Sequence, residues 1–230
     1  MEHFSYVDMF ATKGLEYLLV IGFLLVFVGY WVWMSKPIER ARKAIPKVTQ
    51  FIEGWFSLAK NYFYHQGHSW AIPEEKDVVK VGVDDFAQKL IGKPGQILVP
   101  QVGAQLEQGE NGWQFEIDNK KIDMLSPVTG KVLAVNEQAI KNPELLIQDP
   151  YGEGWLMKVR VPRIKSNLKN LLSGRLAQAW MQDTVHQLRG TLSGELGTVM
   201  QDGGAPVSGF AKEVFPDKWE GYVKSFLKTE

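Results

Sequence analysis

The chain has 230 residues, of which 45% are hydrophobic and 23% charged, a balance typical of a folded globular protein. Its 26 basic and 26 acidic residues cancel, so no overall positive charge predicts binding to nucleic acid. The absence of cysteine excludes disulfides, thiolate metal sites, iron–sulfur clusters and a cysteine nucleophile. The length suits one sizeable domain with additional segments.

The first predicted element is a membrane-spanning helix. Residues 17–34 contain no charged side chain. At about 1.5 Å rise per residue this segment would extend about 27 Å, close to the hydrocarbon thickness of a bilayer. Aromatic residues cluster at its C-terminal end, where they favour the lipid headgroups. We therefore predict an extracytoplasmic tail over residues 1–13 and a transmembrane helix over residues 14–34.

Basic residues after this segment predict its orientation. Between residues 35 and 47, five basic side chains stand against one acid, Glu39, whereas the tail before the helix is mixed in charge. Such a cluster marks the cytoplasmic side of a membrane helix. The sequence thus predicts a single-pass protein of the cytoplasmic (inner) membrane, with its N-terminus outside and the bulk of the chain cytoplasmic.

The juxtamembrane residues 35–63 are predicted to form a basic, amphipathic helix. Apolar side chains recur there at alternating spacings of three and four, which is the helical period: Ile45, Val48, Ile52, Trp55, Ala59 and Tyr62. Such a face suits the bilayer surface, a partner's membrane helices or the protein's own domain. Ile52 and Trp55 are therefore candidate partner-docking residues.

From residue 64 the hydrophobic period changes to two, the period of β-strands. Residues 79–83 alternate in this way, and residues 113–118 and 122–124 do so on either side of a tight turn with Asn119 and Lys120 at its tip. Further short strands, separated by turns rich in glycine and proline, indicate a small barrel or sandwich.

Six segments between residues 64 and 182 resemble, in order and spacing, the H protein of the glycine cleavage system: HSW at 68–70, VKVGVDDFAQKLIG at 79–92, VPQVG at 99–103, SPVTGKVLAVNE at 126–137, NPELL at 142–146 and DPYGEGWLMKVRV at 149–161. The resemblance covers about half of the chain. It implies a mainly β fold with helical additions, the barrel-sandwich hybrid of lipoyl domains. It also implies a lipoyl group on a hairpin lysine, which carries intermediates between enzymes.

The resemblance places an asparagine where the family has its lipoyl lysine. The family glutamate three residues before that lysine matches Glu116, and the aspartate four residues after it matches Asp123, so both indicate Asn119. A carboxamide has no amine with which to form the lipoyl amide. We therefore expect no cofactor. The alternative is a covalent lipoyl group on Lys120 or Lys121, which is disfavoured because a one-residue shift reverses the face of a strand.

Other candidate sites are weak. His65 and His68 have a spacing compatible with a metal site, but no further ligand is evident nearby, and His68 matches a packing position of the family. No metal is therefore expected. No set of side chains predicts a catalytic site, so we expect a protein that is not an enzyme.

Residues 183–230 extend beyond the resemblance as a linker and a predicted amphipathic helix. Asp217 is placed to cap this helix, and five apolar side chains form one stripe along it: Trp219, Tyr222, Val223, Phe226 and Leu227. Isolated helices shorter than about 12 to 15 residues are marginal in water, so the stripe must dock. Its acceptor is either the protein's own domain or a partner subunit, which makes these five residues partner-docking candidates.

Together these features predict a scaffold or docking subunit of a membrane-bound complex. The absent lipoyl lysine and the predicted anchor both favour a fold retained for docking, with a respiratory electron-transfer complex as the expected setting by analogy. The expected partners are the lipid bilayer and other subunits of a membrane protein complex, and not nucleic acid. The alternative function is a lipoyl carrier that uses Lys120 or Lys121.

Overall fold

A computed structural model describes four stretches of the chain: residues 17–31, 48–52, 54–196 and 206–229. The chain divides into two units, residues 1–45 and residues 46–230. The first unit contains helix α1, residues 17–31, whose side chains are exposed throughout.

The structure only partly covers the predicted anchor. Among the described residues, no helix combines the length and the apolar character required to cross a bilayer. Residues 14–16 and 32–34 of the predicted anchor lie outside the described residues, as does the predicted tail.

The second unit is mainly β, with helices added at its surface. Its strands are β1 (Val48–Ile52), β2 (Phe56–Ala59), β3 (Phe63–Tyr64), β4 (Ser69–Pro73), β5 (Val78–Val83), β6 (Gln96–Leu98), β7 (Gln105–Leu106), β8 (Asn111–Ile117), β9 (Lys120–Leu125), β10 (Gly130–Val135) and β11 (Met157–Arg160). They pair antiparallel as a β1–β2 hairpin, a sheet of order β3-β4-β5-β11-β10-β7 and a sheet of order β6-β8-β9. The prediction of a mainly β fold with helical additions is confirmed.

The described helices of this unit are α2 (Asp85–Ile91), α3 (Glu137–Lys141), α4 (Glu144–Gln148), α5 (Ile164–Lys169), α6 (Gly174–Leu196), α7 (Phe210–Val214) and α8 (Trp219–Leu227). Helix α2 begins where predicted, because the Asp84 carboxylate accepts a hydrogen bond from the backbone N–H of Ala87. Gly92 ends it. The core lies between the sheets and these helices and includes Trp70, Phe86 and Phe115, all fully buried.

The helix predicted over residues 35–63 is wrong wherever the structure describes that segment, since β1 and β2 form a hairpin there. Residues 35–47 lie outside the described residues. The segment is rich in β-branched and aromatic residues, which favour strands, and all four residues of β2 are buried. Ile52 and Trp55 are 3% and 4% exposed within the core, so their interpretation as partner-docking residues is also wrong.

The β1–β2 hairpin is fastened to the rest of the domain. One carboxylate oxygen of Asp85 accepts hydrogen bonds from the backbone N–H of Ser57 at 2.8 Å and from its hydroxyl at 3.0 Å. The hydroxyl of Tyr151 donates to the Ser57 carbonyl at 2.7 Å. Burial raises the pKa of the Tyr151 phenol well above its ordinary value, so the hydroxyl remains protonated and able to donate. The hairpin therefore has a fixed position on the domain.

The predicted C-terminal helix is present as α8, and the domain itself is the acceptor of its apolar stripe. Trp219, Val223 and Leu227 are buried, while Tyr222 and Phe226 are partly buried against the same core. Of the two acceptors left open by the sequence, the domain therefore takes the buried Trp219, Val223 and Leu227, whereas partner docking through the partly exposed Tyr222 and Phe226 stays a prediction. The predicted cap is also wrong, because the helix begins after Lys218 and has no side-chain capping bond.

Candidate functional site

The candidate site is the tip of the β8–β9 hairpin. Ile117 pairs with Lys120, so the connecting turn consists of Asp118 and Asn119. Both have positive φ, 50° and 62°, as a type I′ turn requires. The predicted tip of Asn119 and Lys120 was therefore wrong by one residue: aspartate and asparagine tolerate this left-handed backbone, and Lys120 instead joins the strand ladder.

Lys120 reaches from the first position of β9 toward helix α8. Its side chain shares a strand face with the fully buried Ile122, two residues on. The ammonium nitrogen lies 2.9 Å from a carboxylate oxygen of Glu220 and 5.5 Å from the ring centroid of Trp219. The amine of Lys120 is thus held by an ion pair and a cation–π contact.

Helix α7 makes a second contact with the same tip. The ammonium of Lys212 pairs with the Asp118 carboxylate and lies 5.9 Å from the ring centroid of Trp219. Two lysines, one from the hairpin and one from α7, therefore flank one buried indole. We call residues 206–229, which include α7 and α8, the C-terminal cap.

The charges at this contact perturb one carboxyl group. The hydrogen bond from Lys120 lowers the pKa of Glu220 below its ordinary value, and the positive charges of Lys120 and Lys224 act in the same direction. Glu220 is consequently ionised at neutral pH, which is the state required to pair with Lys120.

The backbone of the C-terminal cap packs very close to the backbone of the domain at two places. The N–H of Gly209 donates to the Lys89 carbonyl at 2.7 Å, at the end of α2. A Cβ atom at Gly92 would lie 2.8 Å from the Cα atom of Gly209, and a Cβ atom at Gly67 would lie 2.8 Å from the carbonyl oxygen of Leu227. Both distances are too short for a side-chain carbon, so the sequence must have glycine at these two positions for the cap to close.

Lys121 occupies a different environment from Lys120. It lies opposite Glu116 in the register of the β8–β9 ladder and is exposed to solvent. Asp123, two residues further along β9, accepts a hydrogen bond of 2.6 Å from the Gln114 side chain. The three predicted site residues therefore differ: Asn119 lies in the turn, Lys120 contacts the cap, and Lys121 presents its amine to water.

The two histidines occupy structural positions. His68 is buried, with its Nδ1 atom 2.8 Å from the Asp84 carboxylate, and its ring stacks on Phe86 at a centroid distance of 4.2 Å. His65 accepts a hydrogen bond from the Gly67 N–H, and burial lowers its pKa, with the charge of His68 adding to the effect. Across the described ranges, no cluster of three or more His, Cys, Asp or Glu side chains is arranged to hold a metal ion.

Sequence reasoning did not identify Asp118, Lys212 and Glu220 as members of this site. The apolar stripe of the C-terminal helix predicted that it docks, but a stripe does not identify the polar groups that line its acceptor. A weak signal was present, because Glu220 and Lys224 lie four residues apart on the polar side of that stripe.

Comparison with known proteins relates most of the second unit to one family. Residues 62–184 match the protein family described as glycine cleavage H-protein. The glycine cleavage system H protein of Thermus thermophilus is 40% identical over 115 residues, which are 50% of this chain and 88% of that protein. The H protein of Mycolicibacterium smegmatis is 39% identical over 104 residues, 45% of this chain and 79% of that protein. A crystal structure of the H protein of Mycobacterium marinum has 26% sequence identity, covers 51% of this chain and 94% of that chain, and gives a TM-score of 0.45.

Proposed function

Because this chain belongs to the glycine cleavage H-protein family, we propose that it is a membrane-anchored docking subunit of a membrane-bound complex, without a lipoyl arm and without catalytic activity of its own. The observation that carries this proposal is the hairpin tip. Its turn consists of Asp118 and Asn119, neither of which has a side-chain amine, and the adjacent Lys120 is held by the C-terminal cap.

The contacts of Lys120 argue against its use as an attachment point. Forming an amide at its nitrogen would remove the positive charge, and with it both the ion pair to Glu220 and the cation–π contact with Trp219. The Glu220 carboxylate would then depend on Lys224 of its own helix, whose ammonium lies at the longer distance of 3.6 Å. An attaching enzyme would also have to approach a side chain that α8 partly covers.

The first unit supports the proposed membrane anchor. Residues 17–34 contain no charged side chain, and five basic residues follow between positions 36 and 47. The side chains of α1 are apolar around the whole helix and exposed, which suits a lipid environment. The proposal therefore places this protein in the cytoplasmic membrane with one crossing, the N-terminus outside and the H-protein-like domain in the cytoplasm. Its proposed partners are the bilayer and other subunits, in a respiratory electron-transfer complex by analogy.

The test is the intact mass of the full chain, purified in mild detergent from its native host, with peptide mapping of the β8–β9 hairpin. We expect an unmodified hairpin in cells whose other lipoyl proteins carry their lipoyl groups, and that second measurement is the control. A lipoyl-sized mass on Lys120 or Lys121 would refute the docking proposal.

A lipoyl carrier is the second candidate function. Lys121 favours it, because this amine is exposed and lies two residues from the turn. In this alternative, a lipoyl group on Lys121, or on Lys120 after opening of the cap, shuttles intermediates as the resemblance implies. Separate Lys120→Arg and Lys121→Arg variants distinguish the two sites, because each substitution keeps the charge and removes one acceptor amine.

A further inference from the structure

The segment between α4 and the middle of α6 carries charged side chains of one sign only, and that sign is positive. Residues 154–182 contain six basic side chains and no acidic one. Lys158 pairs with Glu74 at 2.7 Å, and Arg160 lies 3.5 Å from Asp77. Within the part of the chain that the structure describes, the other four are exposed and pair with no carboxylate: Arg163, Lys165, Lys169 and Arg175.

The fold brings a fifth cation, Lys60, beside one of these four. Lys60 and Arg175 line one cavity of about 750 Å³, and Arg163 lines a second of about 460 Å³. Helix α5 and the turn at residues 170–173 connect the two cavities, and α5 carries Lys165 and Lys169 one helical turn apart. We call Lys60, Arg163, Lys165, Lys169 and Arg175 the basic face.

An apolar side chain accompanies these charges. Leu176 follows Arg175 in α6 and is 69% exposed, although α6 buries other apolar residues against the core. A leucine beside several cations is the combination by which peripheral surfaces bind membranes, since the cations attract anionic headgroups and the apolar group enters the boundary region.

The described part of the second unit begins beside this face. Val48, the first residue of β1, pairs with Ala59, which is adjacent to Lys60 and lines the same cavity. The β1–β2 hairpin is held in place by Asp85 and Tyr151, so the position of this end is fixed. The segment just before β1 in the sequence, residues 36–47, carries five more basic residues.

We propose that the basic face docks on a bilayer surface that carries anionic lipid headgroups, on the side of the domain where β1 begins. This inference rests on the proposed membrane anchor, because a tether holds the face near the surface. Each basic side chain close to an anionic membrane strengthens binding about fivefold, so five of them suffice to orient a tethered domain. Anionic lipid is favoured over an acidic protein as the binding partner of the basic face, because the basic juxtamembrane segment immediately precedes β1 in the sequence.

The test measures amine acetylation of Lys165 and Lys169 by peptide mapping, in full-length protein reconstituted into bilayer discs. Discs of phosphatidylcholine alone are compared with discs of phosphatidylcholine and phosphatidylglycerol in equal amounts. We expect both lysines to react several-fold more slowly in the anionic discs, and high salt to abolish the difference because it screens exposed charges. Lys141, an exposed lysine outside the basic face, is the internal reference.

Matched variants identify the residues responsible. Arg163→Gln with Arg175→Gln removes two charges from the basic face, and should weaken docking about twenty-five-fold and so restore rapid acetylation. The control variant, Lys93→Gln with Lys141→Gln, removes two positive charges outside the basic face and should leave the protection of Lys165 and Lys169 unchanged. Because this variant lacks Lys141, the exposed Lys76 serves as its reference amine.

The outcomes separate this inference from the proposal on which it rests. Protein that inserts into neutral discs but reacts equally in both lipids would support the anchor and overturn the docking inference. Slow reaction only in native membranes that retain their proteins would overturn it as well, in favour of an acidic protein partner. Protein that fails to insert into any disc would refute the membrane anchor itself.

Discussion

Trp219 is buried where the C-terminal cap meets the β8–β9 hairpin. It is 5% exposed, and the ammonium groups of Lys120 and Lys212 lie 5.5 Å and 5.9 Å from its ring centroid. Trp219→Ala should therefore lower the free energy of unfolding by about 3 to 5 kcal/mol, the usual cost of removing a buried aromatic ring. Chemical denaturation of the full chain, followed by near-ultraviolet circular dichroism, measures this loss.

The same variant should also change the reactivity of Lys120. Without the indole, Lys120 loses its cation–π contact with α8, so this lysine, whose side chain is 45% exposed, should be acetylated faster, whereas the rate of Lys121 should not change. The ratio of the two rates, read from one peptide map, reports on the cap independently of overall stability.

Trp155 provides a matched control. Lys80 and Lys158 lie 5.8 Å and 5.6 Å from its ring centroid, much as two lysines flank Trp219, but Trp155 is only partly buried. Trp155→Ala should therefore cost less stability and leave the Lys120 to Lys121 ratio unchanged. A loss below about 1 kcal/mol for Trp219→Ala, within the range of surface substitutions, would refute the view that burial of this ring closes the cap.

Three further predictions concern the cap. Gly92→Ala should destabilise the domain by about 1 to 3 kcal/mol, because φ at this position is +77° and the new Cβ atom would lie 2.8 Å from the Cα atom of Gly209. Gly221→Ala should instead stabilise the domain by up to about 1 kcal/mol, because Gly221 lies in α8 with open space around it. Thermal unfolding of the two variants measures both effects. The pKa of Glu220 lies below its ordinary value, so its ion pair with Lys120 stabilises the cap at neutral pH and is lost as pH falls through that pKa. Thermal unfolding should therefore show a larger difference between the wild type and Glu220→Gln at neutral pH than at a pH below that pKa. Lys120→Arg should leave both stability and partner binding intact, since a guanidinium keeps the charge and the ring contact; loss of function in this variant would favour the lipoyl carrier.

Local patterns in the sequence determined much of the domain. The period-two segments became β5, β8 and β9, and Asp84 and Gly92 bound α2 as predicted. The stripe from Trp219 to Leu227 became α8. These features depend on neighbouring residues, because strand alternation, capping and helical stripes arise within a few positions of the chain.

Where local signals conflict, the sequence was misleading. The apolar residues between positions 45 and 62 satisfy a helical spacing, yet β1 and β2 form there because both faces of β2 are covered by the domain. The turn of the β8–β9 hairpin was predicted one residue too late. Its position depends on which two residues form the last pair before the turn, and these are Ile117 and Lys120.

Only the tertiary structure decided what the C-terminal helix covers. Glu220 and Lys120 are separated by one hundred positions in the chain, and no local pattern relates them, yet packing of α8 on the hairpin brings their charged atoms to 2.9 Å. The basic face likewise joins Lys60 to Arg175 through folding alone. The sequence by itself thus determined the elements and the absence of an amine at Asn119, whereas contacts between distant segments, which follow from the burial of apolar surface, decided which lysine pairs with Glu220.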